Sequence, residues 1–138
     1  MRVILDVNKI ISALIKDSLA RRIIKESGLD FYFPEPSFEK IKKYKNYIIE
    51  KAGIGEEEFF VLLGKLFLYI NLISEREIRK YWDEAKSVME KIDFENVVFI
   101  AGALCFEDAV IWSEDKHFDK QNRIRVLKTK DMLKFLDY

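Results

Sequence analysis

The sequence predicts an α/β fold: a three-layer sandwich whose central, mostly parallel twisted sheet of four to five strands carries helices on both faces. Three observations lead there. Short apolar runs without a 3.6-residue period, RVILD at 2–6, FYF at 31–33, AVIWSE at 109–114 and IRVLK at 124–128, suit strands buried on both faces. Amphipathic segments with recognisable caps separate these runs. The alternation of strand and helix over the whole length calls for crossover connections, and therefore for parallel strands.

Taken in order, residues 2–6 form the first strand. NKIISALIKDSLARRIIKES follows as one helix, with Ile10, Ile11, Leu14, Ile15, Leu19 and Ile23 at helical spacing and Gly28 as its C-terminal stop. FYF is the second strand, and the resulting βαβ unit should be right-handed. Pro34 and Pro36 mark a turn, and Ser37 caps a helix over FEKIKKYKNYIIEKA that ends at Gly53 and Gly55. EEEFFVLLGKLFLYI reads as an apolar helix whose acidic first turn complements its dipole. Leu72 and Ile73 suit a short edge strand or an extended linker. SEREIRKYWDEAKSVMEKI reads as an amphipathic helix opened by a Ser74 to Glu77 capping box. An apolar helix over 97–106, the strands at 109–114 and 124–128, and a short helix in KDMLKFLDY complete one domain over residues 1–138. No repeat or low-complexity segment divides it.

A chain of 138 residues is long enough to bury a core without disulfides or structural metal. Lys and Arg number 24, as do Asp and Glu, so bulk charge does not mark a basic nucleic-acid binder; a basic rim around an acidic pocket remains compatible with the total. The lone cysteine, Cys105, lies in the run VVFIAGALCF and reads as packing. With no secretory pattern at the start and no apolar run of about 18 residues, a cytoplasmic location without membrane contact is expected.

The informative residues are acids. Ligands of open α/β sheets bind beyond the carboxyl ends of the strands. Asp6 lies at such an end, and Asp115 closes AVIWSED. Asp93 and Glu95 precede the helix starting near Val97, and Glu39 follows the proline corner. Each has an ordinary reading: Asp6 as a helix cap, Glu39 as a solvated residue, Asp93 and Glu95 as partners of a helix N-terminus. Together, with two at the ends of buried strands, they point to a cation, because clustered carboxylates repel unless neutralised. Oxygen ligands suit Mg²⁺ or Mn²⁺. A single histidine and a single cysteine leave no zinc set, and no phosphate-binding glycine motif occurs.

The segments ILDVNKIISALI, PSFEKI, DFENVVFIAGAL and IWSEDKHF, in this order over residues 2–118, resemble the four acidic blocks of the PIN-domain nucleases, a family that includes VapC-type toxins. The resemblance implies a PIN-like sandwich and a Mg²⁺/Mn²⁺-dependent endoribonuclease that hydrolyses RNA phosphodiesters with one or two cations. It makes Asp6, Glu39, Glu95 and Asp115 the acidic set, with Asp6, Glu95, Asp115 and Asp93 as metal ligands. Asn8, Ser113 and Asn96 become polar groups that orient the carboxylates. Two positions depart from the family pattern: Asn96 stands where relatives most often carry the third Asp, and His117 where many carry a further acid.

The implied partners are RNA, a small antitoxin protein and a second copy of the chain, with the apolar helix FFVLLGKLFLYI as the pairing face. Lys9, Lys40, Lys43, Lys116 and His117, with Lys42 and Lys120, are candidates for tracking a nucleic-acid backbone. The aromatic series Phe59, Phe60, Phe67, Tyr81 and Trp82 reads as core or subunit contact. The alternative function is a catalytically weak or inactive PIN-like module that binds RNA or protein. A receiver-like regulatory domain is disfavoured, because no phosphoacceptor arrangement is evident.

Overall fold

The computed structural model describes residues 1–15 and 18–136. Its first strand, β1 (Arg2–Leu5), buries Val3, Ile4 and Leu5 completely. Neighbouring strand residues point to opposite faces, so burial of all three requires cover on both sides. Asp6 then caps α1 (Val7–Leu14).

The predicted long first helix is two helices. Ile15 leaves helical geometry (φ −80°, ψ 136°), and α2 (Leu19–Glu26) restarts from Ser18, whose hydroxyl accepts the Arg21 amide at 3.0 Å. Lys16 and Asp17 lie outside the described residues. The orphaned carbonyls ending α1 are satisfied from a distance: Arg21 donates to Ala13 O at 2.7 Å and Leu14 O at 3.2 Å. Gly28 (φ 74°) supplies the left-handed turn into β2 (Asp30–Pro34).

The second predicted helix also breaks, at Tyr44, into α3 (Phe38–Lys43) and α4 (Lys45–Ala52). Ser37 ends a short 3-10 turn with its side chain buried and makes no capping bond, contrary to the cap expected of it. The left-handed Gly53 closes α4. In α5 (Glu56–Leu66) the helix stops earlier than predicted, because Ile70 enters the edge strand β3 (Ile70–Ile73). Tyr81 divides the next predicted helix into α6 (Glu75–Lys80) and α7 (Trp82–Met89). Half of its capping box forms: Ser74 accepts the Glu77 amide, while the Glu77 carboxylate takes Lys80 instead. A 3-10 turn over Phe94–Asn96 leads into α8 (Val97–Leu104), followed by β4 (Ala109–Trp112), β5 (Val126–Leu127) and α9 (Thr129–Met132).

Among the described residues the five strands form one parallel sheet in the order β3-β2-β1-β4-β5. Helix α8 is apolar all round and buried from Val97 to Ala103; it packs on β1, β2 and β4, with α6 and α7 against it. Helix α1 packs with α2, α3, α4 and α5 and belongs to the other layer. Gly102 lets α8 approach closely, since a Cβ there would stand 3.2 Å from Ile73 Cδ1. No helix among the described residues is long and apolar enough to cross a membrane.

The order reverses between β1 and β4. In open α/β sheets such a switch opens a crevice at the carboxyl ends of the two strands, and here those ends deliver Asp6 and Ser113 to Asp115.

Candidate active site

The acids are placed by local backbone chemistry. Asp6 Oδ1 accepts the Lys9 amide at 2.9 Å and so caps α1. Asp93 Oδ1 accepts the Glu95 amide at 3.0 Å and opens the turn before α8. Asp115 Oδ1 accepts the His117 amide at 2.9 Å and opens the 3-10 turn Lys116–Lys120 after β4. Each acid thus spends one oxygen on a turn. The second oxygen joins a shared network: Asp6 Oδ2 takes the Ser113 hydroxyl, and Asp93 Oδ2 and Asp115 Oδ2 both take the Asn96 amide, at 3.1 and 2.9 Å.

Ser113, fully buried at the end of β4, links the halves by accepting the Asp115 amide at 3.0 Å while donating to Asp6. Asn96 is also buried and serves as a neutral clamp between two carboxylates. The ring of His117 completes the group, with Nδ1 3.0 Å from Asp115 Oδ1 and 3.2 Å from Asp93 Oδ2.

These environments push the acids apart in titration. Burial drives the Asp6 carboxyl up, with Asp115's charge adding to the rise and the Ser113 and Lys9 contacts opposing it. Burial also pushes Asp115 up, but Asn96 and the amide and ring of His117 outweigh it and hold the group below its ordinary range. Asp115 therefore stays ionised, while the buried Asp6 carries an electrostatic cost that a cation would offset.

A cleft of about 470 Å³ opens over these groups, lined by Asp6, Val7, Asn8, Lys40, Lys43, Tyr44, Asp93, Glu95, Asn96, Phe99 and Asp115. Glu95 stands on its outer lip, mostly exposed, with Lys40 2.6 Å away; that ammonium pulls the Glu95 carboxyl down. Of the two acids before α8, Asp93 is the one that reaches Asp115.

Several sequence expectations need adjustment. Glu39 does not line the cleft; its exposed carboxylate lies 3.4 Å from Lys42. Asn8 is exposed on the cleft wall, and Asp6 is held by Ser113 and the Lys9 amide rather than by Asn8. Lys9, expected at the rim, is buried: its ammonium lies 2.9 Å from Glu114, 3.0 Å from Thr129 Oγ1 and 5.3 Å from the centre of the Trp112 ring. A four-carbon stem lets this residue reach a partner 105 positions away. Lys40 and Lys43 do line the cleft, whereas Lys116 is exposed on the turn after Asp115.

Glu114 and Thr129 were not singled out by the sequence. Burial raises the Glu114 carboxyl, but the Thr129 hydroxyl, the Lys9 ammonium and the Thr129 amide bring it down to about 2. The alternation of polar residues in WSED gives the one usable signal, because Ser113 and Asp115 share a side and Glu114 must face the other. Tyr44, on the cleft wall, carries no signal in the sequence.

The donors fit a divalent cation. Asp93, Asp115 and His117 each bring one ligand atom within 4.8 Å of the others, and Asp6 adds a buried carboxylate in the same cleft. Oxygen-rich sets of this kind suit Mg²⁺ and Mn²⁺.

A sequence model of a family described as the PIN domain matches residues 4–133. No curated protein matches. Among solved structures, the chain resembles the crystal structure of VapBC2 from Rickettsia felis bound to a DNA fragment from their promoter. The identity is 14% and the TM-score 0.64, with 93% of this chain and 98% of that chain covered. That likeness concerns the fold.

Proposed function

The chain belongs to the PIN-domain family, whose members are generally nucleases, and from that premise we propose that it is a Mg²⁺/Mn²⁺-dependent endoribonuclease. One observation carries the reading: Asp6, Asp93 and Asp115, from three separate segments, converge with Asn96 at the carboxyl end of the sheet where the strand order reverses. A divalent cation bound there would act as a Lewis acid on the phosphodiester and make a water a competent nucleophile near neutral pH.

The chain's own residues do the rest. Asp93 and Asp115 would hold the cation, with Asp6 as the buried third carboxylate. Ser113 and Asn96 fix their oxygens. Glu95 stands at the lip beside Lys40, which with Lys43 gives the RNA backbone positive contacts at the mouth of an acidic cleft. The proposed substrate is single-stranded or structured RNA.

The assignment extends to a toxin of the VapC type, working in the cytoplasm with a small antitoxin protein as partner. The solved relative's VapBC2 assembly supports that extension. A homodimer is proposed through α5, where Phe60 and Val61 are exposed, as is Leu68 just beyond it (82%).

A second reading, a PIN-like module that binds RNA or protein with little or no cleavage, is favoured by the amide at Asn96 in place of an acid. The deciding experiment is cleavage of single-stranded RNA by the pure protein with Mn²⁺, comparing wild type, Asp6→Asn and an EDTA control. Activity lost in both the variant and the chelated sample is the expected result. No cleavage of any RNA in a panel, together with no Mn²⁺ binding by calorimetry, would move the assignment to the binding module.

A further inference from the structure

We propose that His117 is itself a metal ligand, through Nδ1, so that the centre is a mixed imidazole and carboxylate site selective for Mn²⁺ over Mg²⁺. The inference rests on the metal-site reading of the cleft and names a ligand that an all-carboxylate site would lack.

Position supports it first. Nδ1 faces the carboxylates of two different segments, 3.0 Å from Asp115 Oδ1 and 3.2 Å from Asp93 Oδ2. Donors about 2.1 Å from one octahedral cation and at right angles to each other stand about 3.0 Å apart. The imidazole nitrogen therefore stands from each carboxylate oxygen at the separation of neighbouring ligands of a single ion, and one donor atom from each of the three residues lies within 4.8 Å of the others.

The backbone that carries the ring is also held in place. The His117 amide is tied to Asp115, and the next residue, Phe118, is fully buried with its ring edge-on to Phe99 of α8 at 6.5 Å. Asp93 also sits at the N-terminal side of that helix, so ligand and acid share one rigid support. Among the described residues, the ion pairs at Asp93 and Asp115 are those with the His117 imidazole.

Chemistry sets the selectivity. Mg²⁺ favours oxygen ligands and releases its water reluctantly, whereas imidazole nitrogen binds first-row transition ions well. Exchanging one carboxylate for an imidazole also removes a negative charge, which weakens Mg²⁺ binding more than binding of an ion that gains from nitrogen. Mn²⁺, which accepts both donor types, keeps more of its affinity at such a site than Mg²⁺ does.

The chain has a single histidine, which makes the test unambiguous. Untagged wild-type protein is loaded with Mn²⁺, and electron spin-echo modulation is recorded for natural-abundance and ¹⁵N-histidine-labelled samples; calorimetry gives Mn²⁺ and Mg²⁺ affinities for wild type, His117→Asp and Asp115→Asn. The expected result is a ¹⁴N coupling that becomes ¹⁵N on labelling, with the Mn²⁺ over Mg²⁺ preference reduced by about tenfold or more in His117→Asp. Mn²⁺ binding that depends on Asp115 but shows no nitrogen coupling would overturn the histidine ligand and leave the metal site standing. Absence of Mn²⁺ binding, or binding indifferent to Asp115→Asn, would overturn the metal-site reading itself.

Discussion

Replacing Asn96 with Asp tests the site most directly, because it puts a third carboxylate where the amide now bridges Asp93 and Asp115. In the present chain the Asn96 amide nitrogen stands 3.1 Å from Asp93 Oδ2 and 2.9 Å from Asp115 Oδ2. Asn96→Asp puts an oxygen where that donor was. Two like-charge contacts at such distances would each cost roughly 5 kcal/mol at an effective dielectric of 20, so the three carboxylates would share a proton instead. Protonating an ordinary carboxyl at pH 7 costs about 4 kcal/mol, which sets the ceiling. The acid's own hydrogen bond recovers about 1–2 kcal/mol of it.

The metal-free variant should therefore lose about 2–3 kcal/mol at pH 7, a fall in Tm of roughly 10 °C for a domain of this size. The carboxyl that takes the proton has a raised pKa in the folded state, so the deficit begins above its unfolded value, grows as pH rises toward the folded one, and should shrink as pH falls toward 4. Saturating Mn²⁺ should reverse the order, since an added carboxylate at the ion strengthens binding by about tenfold or more. Differential scanning calorimetry with and without Mn²⁺, at pH 7 and pH 5, measures all of this. A metal-free variant that melts together with wild type at pH 7 would refute the clamp, and with it the claim that Asp93 and Asp115 are held at one point by a neutral donor.

Glu114→Gln should cost about 1–2 kcal/mol at pH 7: a shift to about 2 is worth roughly 3 kcal/mol, discounted because the side chain is half exposed. A depressed carboxyl stabilises above its unfolded value and loses that contribution as pH falls through its folded one, so urea titrations should show the gap to wild type narrowing by roughly half near pH 3; a gap constant with pH would assign the loss to packing. Lys40→Ala with Lys43→Ala should weaken binding of single-stranded RNA across sequences and lower the salt slope by roughly 1.4, the value for two phosphate contacts. Fluorescence anisotropy over a salt series reads this, and an unchanged slope would take both lysines off the RNA path.

How far the sequence carried depends on the range of the interaction involved. The strands around Ile4, Phe33 and Ile111 were legible because burial on both faces leaves an unbroken apolar run. Asp6 and Asp115 stood out because they follow the carboxyl ends of those strands, where ligands of open α/β sheets bind. The helix breaks at Ile15, Tyr44 and Tyr81 were not legible, because apolar spacing continues through them. At the first, the terminal carbonyls are answered by Arg21, from beyond the break. Lys9 failed similarly: its partner Glu114 lies on another strand end, and no local pattern distinguishes a buried ammonium from a solvated one. The choice between Asp93 and Glu95 turned on a cap. Asp93 accepts the Glu95 amide, which aims its other oxygen at Asn96 and sends the Glu95 side chain outward to Lys40.

That double use of the acids has a consequence for how the site is built and probed. Asp6, Asp93 and Asp115 each close a turn with one oxygen and offer the other to the network, so their rotamers are fixed by backbone hydrogen bonds before any ligand arrives. Preorganisation of this kind reduces the entropy lost when a cation or phosphate binds. It also couples function to stability in a separable way. Asn keeps a capping oxygen and removes the charge, whereas Ala removes both and adds the loss of a cap, about 1 kcal/mol. A defect seen in the Ala variant alone would report the turn, while a defect shared by Asn and Ala reports the charge. Asp6, whose burial makes its charge costly, should therefore tolerate Asn better than Ala in the fold while losing cation binding equally with either.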